Sequence, residues 1–253
     1  MKERGFNTGL VSVSFRRHSP KEILEEMFRV GLHRIEWGSD VHAPCKDRQR
    51  IEEIAQLQKQ YGIVCSSYGT YFRLGETPIG ELKDYITGAK ALGTDLLRLW
   101  CGGKSGADMT EEEKTALVSA CRRATAIAER EGVFLCMECH IKTFTERPED
   151  AVWLMNEVAS PHFQMYWQPN QFRTEEENLR SAKLISPYTK GIHVFHWSGK
   201  EKYPLAGAVE AWQGYLSCFD GSQTLLLEFM PNGTLEELRD EADALNVIIG
   251  ERL

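Results

Sequence analysis

Val133-Phe134-Leu135-Cys136-Met137-Glu138-Cys139-His140 is an apolar run that turns polar at its C-terminal end, before Ile141–Arg147 leads into a helix opened by Pro148. It reads as a short buried strand. Side chains alternate across a strand, so Phe134, Cys136, Glu138 and His140 share one face. An unpaired buried carboxylate is costly or gives up its charge, so Glu138 needs a metal or a cationic group beside it. The alternative at this stage is a solvated tip where Glu138 pairs with a surface Lys or Arg.

The same unit recurs on both sides of this stretch. Upstream, the pattern predicts strands at Gly9–Phe15, Arg34–Gly38, Ile63–Tyr68 and Asp95–Trp100. Downstream it predicts strands at Phe163–Gln168, Gly191–Trp197 and Leu225–Phe229. Helices fall between them. Ser19-Pro20-Lys21-Glu22, Thr110–Glu113, Thr174–Glu177 and Thr234–Glu237 are capping boxes, and Gly31, Gly62, Gly93 and Gly132 are helix stops. Eight strands alternating with helices, with no linker, imply a parallel sheet that closes into a (β/α)8 barrel spanning residues 1–253. The open doubly wound alternative would more often carry a Gly-x-Gly-x-x-Gly turn after its first strand, which is absent.

The composition agrees and narrows the function. Apolar residues make up 42% and charged residues 26%, so a large core is available to a soluble globular chain. The net charge is −7 and basic residues are dispersed, which argues against broad nucleic-acid binding. No run of about 18 apolar residues exists to span a membrane. Met1–Gly5 lacks the apolar core of a signal peptide, so a cytoplasmic protein is expected. The seven cysteines are scattered, and Cys136 and Cys139 point to opposite strand faces, so they read as small core residues rather than a zinc or redox pair.

In such barrels chemistry sits at the C-terminal strand ends. Those ends carry Glu36, Tyr68, Arg98, Glu138 with His140, Gln168, His193 with His196, and Glu228. Ordinary packing would not place a polar group at nearly every end. Glu138, His193 and Glu228, from strands five, seven and eight, meet in one mouth. They suit a hard or borderline divalent ion such as Mn²⁺, Mg²⁺, Co²⁺ or Zn²⁺, with Gln168 as a weaker fourth oxygen ligand.

On these residues the chain resembles the xylose isomerase-like TIM barrels, a superfamily that includes ketose 3-epimerases, hydroxypyruvate isomerase, inosose dehydratase and endonuclease IV. Ile35-Glu36-Trp37-Gly38-x-Asp40-x-His42 and Ser67-Tyr68-Gly69-x-Tyr71 also look like a sugar isomerase/epimerase-like branch. The resemblance implies one metal held by Glu138, His193 and Glu228. Gln168 stands where the family has an Asp, and the loss of an anionic ligand weakens metal binding. His196 falls where many members carry an acidic residue. The resemblance also implies that Glu138 and Glu228 move protons at a carbon next to a carbonyl.

The expected activity is metal-assisted isomerisation or epimerisation of a sugar, sugar phosphate or polyol through an enediolate, with Glu36, Tyr68, Arg98, His140 and His196 as substrate contacts. Arg98 reads equally as an ion-pair partner of Glu36 or Glu138. Trp37, Tyr68, Trp100, Trp167 and Trp197 form either a wall for a sugar ring or a core lid. The loop Gly102-Gly103-Lys104-Ser105-Gly106 and Lys200 are weak phosphate candidates. A keto-polyol dehydratase, an endonuclease IV-like phosphodiesterase and a non-catalytic sugar-binding barrel are the rival readings. A homodimer is allowed by exposed loop aromatics.

Overall fold

The computed structural model describes residues 5–250; the chain ends, including the Met1–Arg4 part of the segment read for a signal peptide, lie outside the described residues. Eight parallel strands form a closed barrel: β1 (Asn7–Val11), β2 (Arg34–Gly38), β3 (Val64–Leu74), β4 (Leu96–Cys101), β5 (Phe134–Glu138), β6 (Phe163–Trp167), β7 (Thr189–Val194) and β8 (Thr224–Leu227). Each strand pairs with its neighbours in sequence, and β1 pairs with β8 to close the ring. The expected (β/α)8 architecture is present.

The helices form the outer layer: α1 (Pro20–Val30), α2 (Arg48–Gln60), α3 (Leu82–Leu92), α4 (Glu111–Glu131), α5 (Pro148–Val158), α6 (Glu175–Ile185), α7 (Val209–Leu216) and α8 (Leu238–Ile249). The capping boxes at Ser19, Thr110 and Thr174 start α1, α4 and α6, each with the reciprocal Glu at N3. At Thr234 the box opens a short 3-10 turn, Leu235–Glu237, that continues into α8. The main core lies between barrel and helices. It holds Trp37, Tyr68, Phe72, Trp167 and Trp212 with the inward faces of the helices. A smaller apolar group, Val11, Val13, Cys136, Tyr166 and Leu226, fills the barrel interior.

Three strands depart most from the expected limits. β1 ends at Val11 and turns into a 3-10 segment at Ser12–Phe15, where the Ser12 hydroxyl accepts the Gly38 N–H. β3 runs on to Leu74, through residues expected to form a loop, with its pairing to β4 shifted between Gly69 and Arg73. β7 stops at Val194. Trp197–Ser198 then pairs with Glu201–Lys202 as a short antiparallel ribbon, turned by Gly199 at φ +62°. Among the described residues no helix is long and apolar enough to cross a membrane.

Candidate active site

The C-terminal mouth opens into a cavity of about 270 Å³ lined by Arg98, Trp100, Glu138, His140, Gln168 and Glu228, with Trp197 and Phe229 along its wall. Strand alternation aims these side chains inward. Cys136 and Glu138 on β5 both face the interior, and Leu226 and Glu228 continue the same face of β8. One left-handed non-glycine residue borders this floor: Phe229 at φ +55°, directly after Glu228. The Phe229 N–H donates to the Ser14 hydroxyl at 2.9 Å, which anchors a backbone conformation an ordinary residue rarely adopts.

Five ionisable side chains meet at the floor, and none is more than 7% exposed: Glu36, Arg98, Glu138, His193 and Glu228. Arg98 Nε donates to Glu36 Oε1 at 2.9 Å, and Arg98 Nη1 donates to Glu138 Oε2 at 2.7 Å. Trp100 Nε1 donates to the same Glu138 oxygen. His193 sits among the carboxylates. Its Nδ1 lies 3.5 Å from Glu138 Oε1, 3.5 Å from Glu228 Oε2 and 3.1 Å from Gln168 Oε1. Its Nε2 is buried without a hydrogen-bond partner, 3.5 Å from Glu36 Oε1.

This crowding separates the carboxyls. For Glu36, burial works against ionisation, but Arg98 and then His193 more than reverse it and bring the carboxyl down to about 2. Burial opposes ionisation at Glu138 too, and Arg98 and His193 hold it well below the usual carboxylate range. Glu228 is different: burial dominates, only partly offset by His193, and pushes it up to about 7. His193 is penalised by burial, yet the charges of Glu228 and Glu36 raise it to about 10. Two carboxyls a short distance apart thus hold protons very differently, as an acid/base pair requires.

Among the described residues no group of three or more His, Cys, Asp or Glu side chains is arranged as a metal site. The set that includes the Gln168 amide comes nearer. Its three oxygens lie 3.1–3.5 Å from one ring nitrogen, close to the donor spacing of about 3–3.5 Å that metal bonds of roughly 2.0–2.2 Å produce. The charges point the same way. With all three carboxyls ionised and His193 neutral, Glu36, Glu138 and Glu228 against Arg98 leave two negative charges, which a divalent ion would cancel in place of the protons that His193 and Glu228 otherwise retain. Two carboxylates, an imidazole and an amide oxygen are donor types that hold divalent cations.

The remaining expected residues divide. His140 lines the cavity; its Nδ1 is 2.7 Å from the Ile141 carbonyl, and its ring packs against Trp100. Glu36 lies beneath the cavity rather than on its wall. Tyr68 is turned out of the mouth. Its hydroxyl donates to the Ala43 carbonyl and its ring packs among core residues, because Ser67 takes the inward position beside Glu36. The Tyr68 expectation is therefore corrected. His196 is corrected for a similar reason: the Gly199 turn carries it to a neighbouring cavity, with Nδ1 2.9 Å from the Pro204 carbonyl. Of the expected aromatic wall, Trp100 and Trp197 face the cavity, while Trp37 and Trp167 belong to the core. Lys104 pairs with Glu113 at 2.7 Å, and neither it nor Lys200 lines the mouth.

Sequence reasoning missed the Ser67 and Tyr166 hydroxyls at the floor and Arg16 and Tyr71 at the rim. Arg16 donates to Asp40 Oδ2 and to the Tyr71 hydroxyl, both at 2.7 Å. The available signal for Tyr71 was its place in the Ser67-Tyr68-Gly69-x-Tyr71 stretch.

Comparisons with known proteins agree with the barrel fold. No curated protein matches the chain at a significant level. Among solved structures, the probable 3-DHS dehydratase AsbF involved in petrobactin synthesis from Bacillus anthracis is 14% identical, with a TM-score of 0.80 over 95% of this chain and 99% of that one. The IolI protein with a bound zinc atom is 17% identical, with a TM-score of 0.79 over 97% and 98%. D-psicose 3-epimerase with D-tagatose, from Clostridium cellulolyticum H10, is 13% identical, with a TM-score of 0.68 over 98% and 100%. At these identities the likeness is one of fold. The model of the xylose isomerase-like TIM barrel family matches residues 24–216, most of the chain; the protein belongs to that family.

Proposed function

We propose that the mouth catalyses proton transfer at a carbon next to a carbonyl in a small sugar or polyol, as an isomerase or epimerase assisted by one divalent ion. The observation that carries this reading is the convergence of Glu138, Gln168 and Glu228 oxygens on His193 Nδ1 at the floor of an open cavity. Glu138, Gln168, His193 and Glu228 would hold the ion, which supplies stabilisation of the negative charge that develops on a substrate oxygen.

The chain's own residues account for the rest. Glu228, whose carboxyl lines the cavity beside His193, takes the proton from carbon and returns it. Glu138 is the fixed anion, its Oε2 tied to Arg98 and Trp100 and its Oε1 left toward the cavity side of His193. In an epimerisation it is the second proton carrier, on the opposite face of the carbon. Trp100, Trp197 and Phe229 cover the apolar faces of the substrate and exclude water.

A dehydratase begins with the same abstraction and then expels a hydroxyl instead of reprotonating carbon. His140 favours keeping this second reading, because with its Nδ1–H donated to the Ile141 carbonyl its Nε2 is an acceptor that, once it has taken up a proton, passes that proton to the leaving hydroxyl.

The test is solvent-deuterium exchange followed by NMR, with Mn²⁺-, Co²⁺- or Zn²⁺-loaded protein and a panel of ketoses and keto-polyols. Exchange at the carbon next to the carbonyl is expected in the wild type. It should fall on the order of 100-fold or more in Glu228→Gln. An absorbance from a new conjugated carbonyl would select the dehydratase. A wild type that exchanges no such proton across the panel removes the reading.

A further inference from the structure

Under the cavity floor lies a tied group of side chains that substrate cannot reach. Ser67 Oγ donates to Glu36 Oε2 at 2.8 Å. That spends the Ser67 proton, so at the 3.0 Å contact between the two hydroxyls Tyr166 is the donor. The Tyr166 ring packs on the His193 ring, with centroids 4.9 Å apart. Two glycines make room for the group. A Cβ at Gly69 would come within 2.5 Å of Glu36 Oε1 and 2.8 Å of Arg98 Nη2, and one at Gly191 would overlap the Tyr166 ring. With Oε2 held by Ser67 and Oε1 by Arg98 Nε, Glu36 is fixed, and its Oε1 lies 3.5 Å from His193 Nε2, which is buried without a hydrogen-bond partner.

We infer that Glu36 is a positioning residue: held by Arg98 and by Ser67, which Tyr166 backs, it faces His193 Nε2 and so keeps Nδ1 turned toward Glu138, Gln168 and Glu228, where an ion would sit. The inference rests on the proposed divalent-ion site. A neutral imidazole has one N–H and one lone pair. When an ion takes Nδ1, the N–H that remains is the one on Nε2, and a fixed carboxylate facing Nε2 accepts it. A carboxylate behind a ligating histidine fixes the ring and raises its basicity. The 3.5 Å separation is long for a hydrogen bond, and it tightens when Nδ1 is engaged from the other side.

The experiment measures Zn²⁺ affinity by chelator competition, together with crystal structures of the metal-free proteins, for the wild type, Glu36→Gln and Ser67→Ala. Circular dichroism establishes that each variant is folded. Glu36→Gln should bind Zn²⁺ about 10–100-fold more weakly, as removal of outer-shell partners does elsewhere, and its His193 ring should leave the wild-type orientation. Ser67→Ala keeps the charge and loosens only the clamp, so a smaller loss in the same direction is expected; it decides the matter if Glu36→Gln does not fold. An unchanged ring in the folded variants overturns the inference, as does unchanged affinity. A wild type that binds no Zn²⁺ overturns the proposed ion site instead, and the ring orientation then judges Glu36 separately.

Discussion

Arg98 Nη1 donates to Glu138 Oε2 at 2.7 Å while the same guanidinium holds Glu36 from Nε, so one arginine is counter-ion to two buried carboxylates. Removing the charge leaves both without it. Arg98→Leu should cost about 3–5 kcal/mol of stability, the scale for breaking a buried pair from one side. Arg98→Lys keeps the charge but loses the two-pronged geometry, and should fall between. Urea denaturation reads both. A leucine variant within about 1 kcal/mol of wild type would mean the carboxylates had simply protonated.

Gln168 brings a neutral oxygen to within 3.1 Å of His193 Nδ1. Gln168→Asp supplies an anion at the same strand end, and divalent-ion affinity by calorimetry should rise about tenfold or more. Affinity that stays flat would place the amide outside the coordination sphere.

Trp197 lines the cavity, and its Nε1 is buried without a hydrogen-bond partner. The atom is closed to solvent as the cavity stands, so it reaches a substrate hydroxyl when the wall gives way on binding. Trp197→Phe keeps the ring contact with Phe229 and removes the donor. KM should rise about 5–30-fold with kcat little changed, the value of one lost hydrogen bond. A matching fall in kcat alone would argue against a binding role.

Glu241 reports on stability rather than activity. Its carboxyl accepts the Leu205 N–H, and burial pushes it up to about 7. The folded protein therefore keeps this proton to higher pH than the unfolded chain, whose Glu titrates at about 4.3. The group's favourable contribution is fully present below the unfolded value and is lost as pH rises through about 7. Glu241→Gln, which can still accept from Leu205, should gain on the wild type between pH 5 and pH 8. Parallel denaturant curves at the two pH values would show no gain if the carboxyl were solvated.

Two glycines should respond in opposite senses. Gly191→Ala drives a methyl into the Tyr166 ring and should destabilise by about 1–3 kcal/mol. Gly214 lies inside α7 with open space around its Cβ position, so Gly214→Ala should stabilise by about 0.5–1 kcal/mol. Thermal unfolding of the pair tests the close approach of Gly191 to Tyr166 against an internal control.

The barrel and its floor were legible for one reason: eight apolar runs end in polar residues at a regular period. Glu138, Gln168, His193 and Glu228 came from that pattern, and the structure brings their side chains together. Tyr68 shows where the reading stops. Its strand was recognised, but pairing between β2 and β3 shifts at Ile35/Glu36, so that Ser67 meets Glu36 and the next residue must face outward. His196 was lost to a turn set by Gly199, after a strand expected to run three residues further. Tyr166 was invisible for another cause. A tyrosine fits inside this barrel because Gly191 stands opposite it, and that partnership exists once the β6–β7 register is known.

The polar floor is drawn from nearly the whole length of the chain, from Glu36 to Glu228, and the seam between the last strand and the first is fastened by the Phe229 N–H on Ser14. During synthesis from the N-terminus, Glu36 leaves the ribosome well before Arg98, and His193 and Glu228 follow only near the end. Until then Glu36, Arg98 and Glu138 lack the His193 imidazole and the Glu228 carboxylate that complete the floor in the closed barrel. The acidic floor acquires its final charge balance at ring closure, so a nascent or truncated chain carries the carboxylates but not the site.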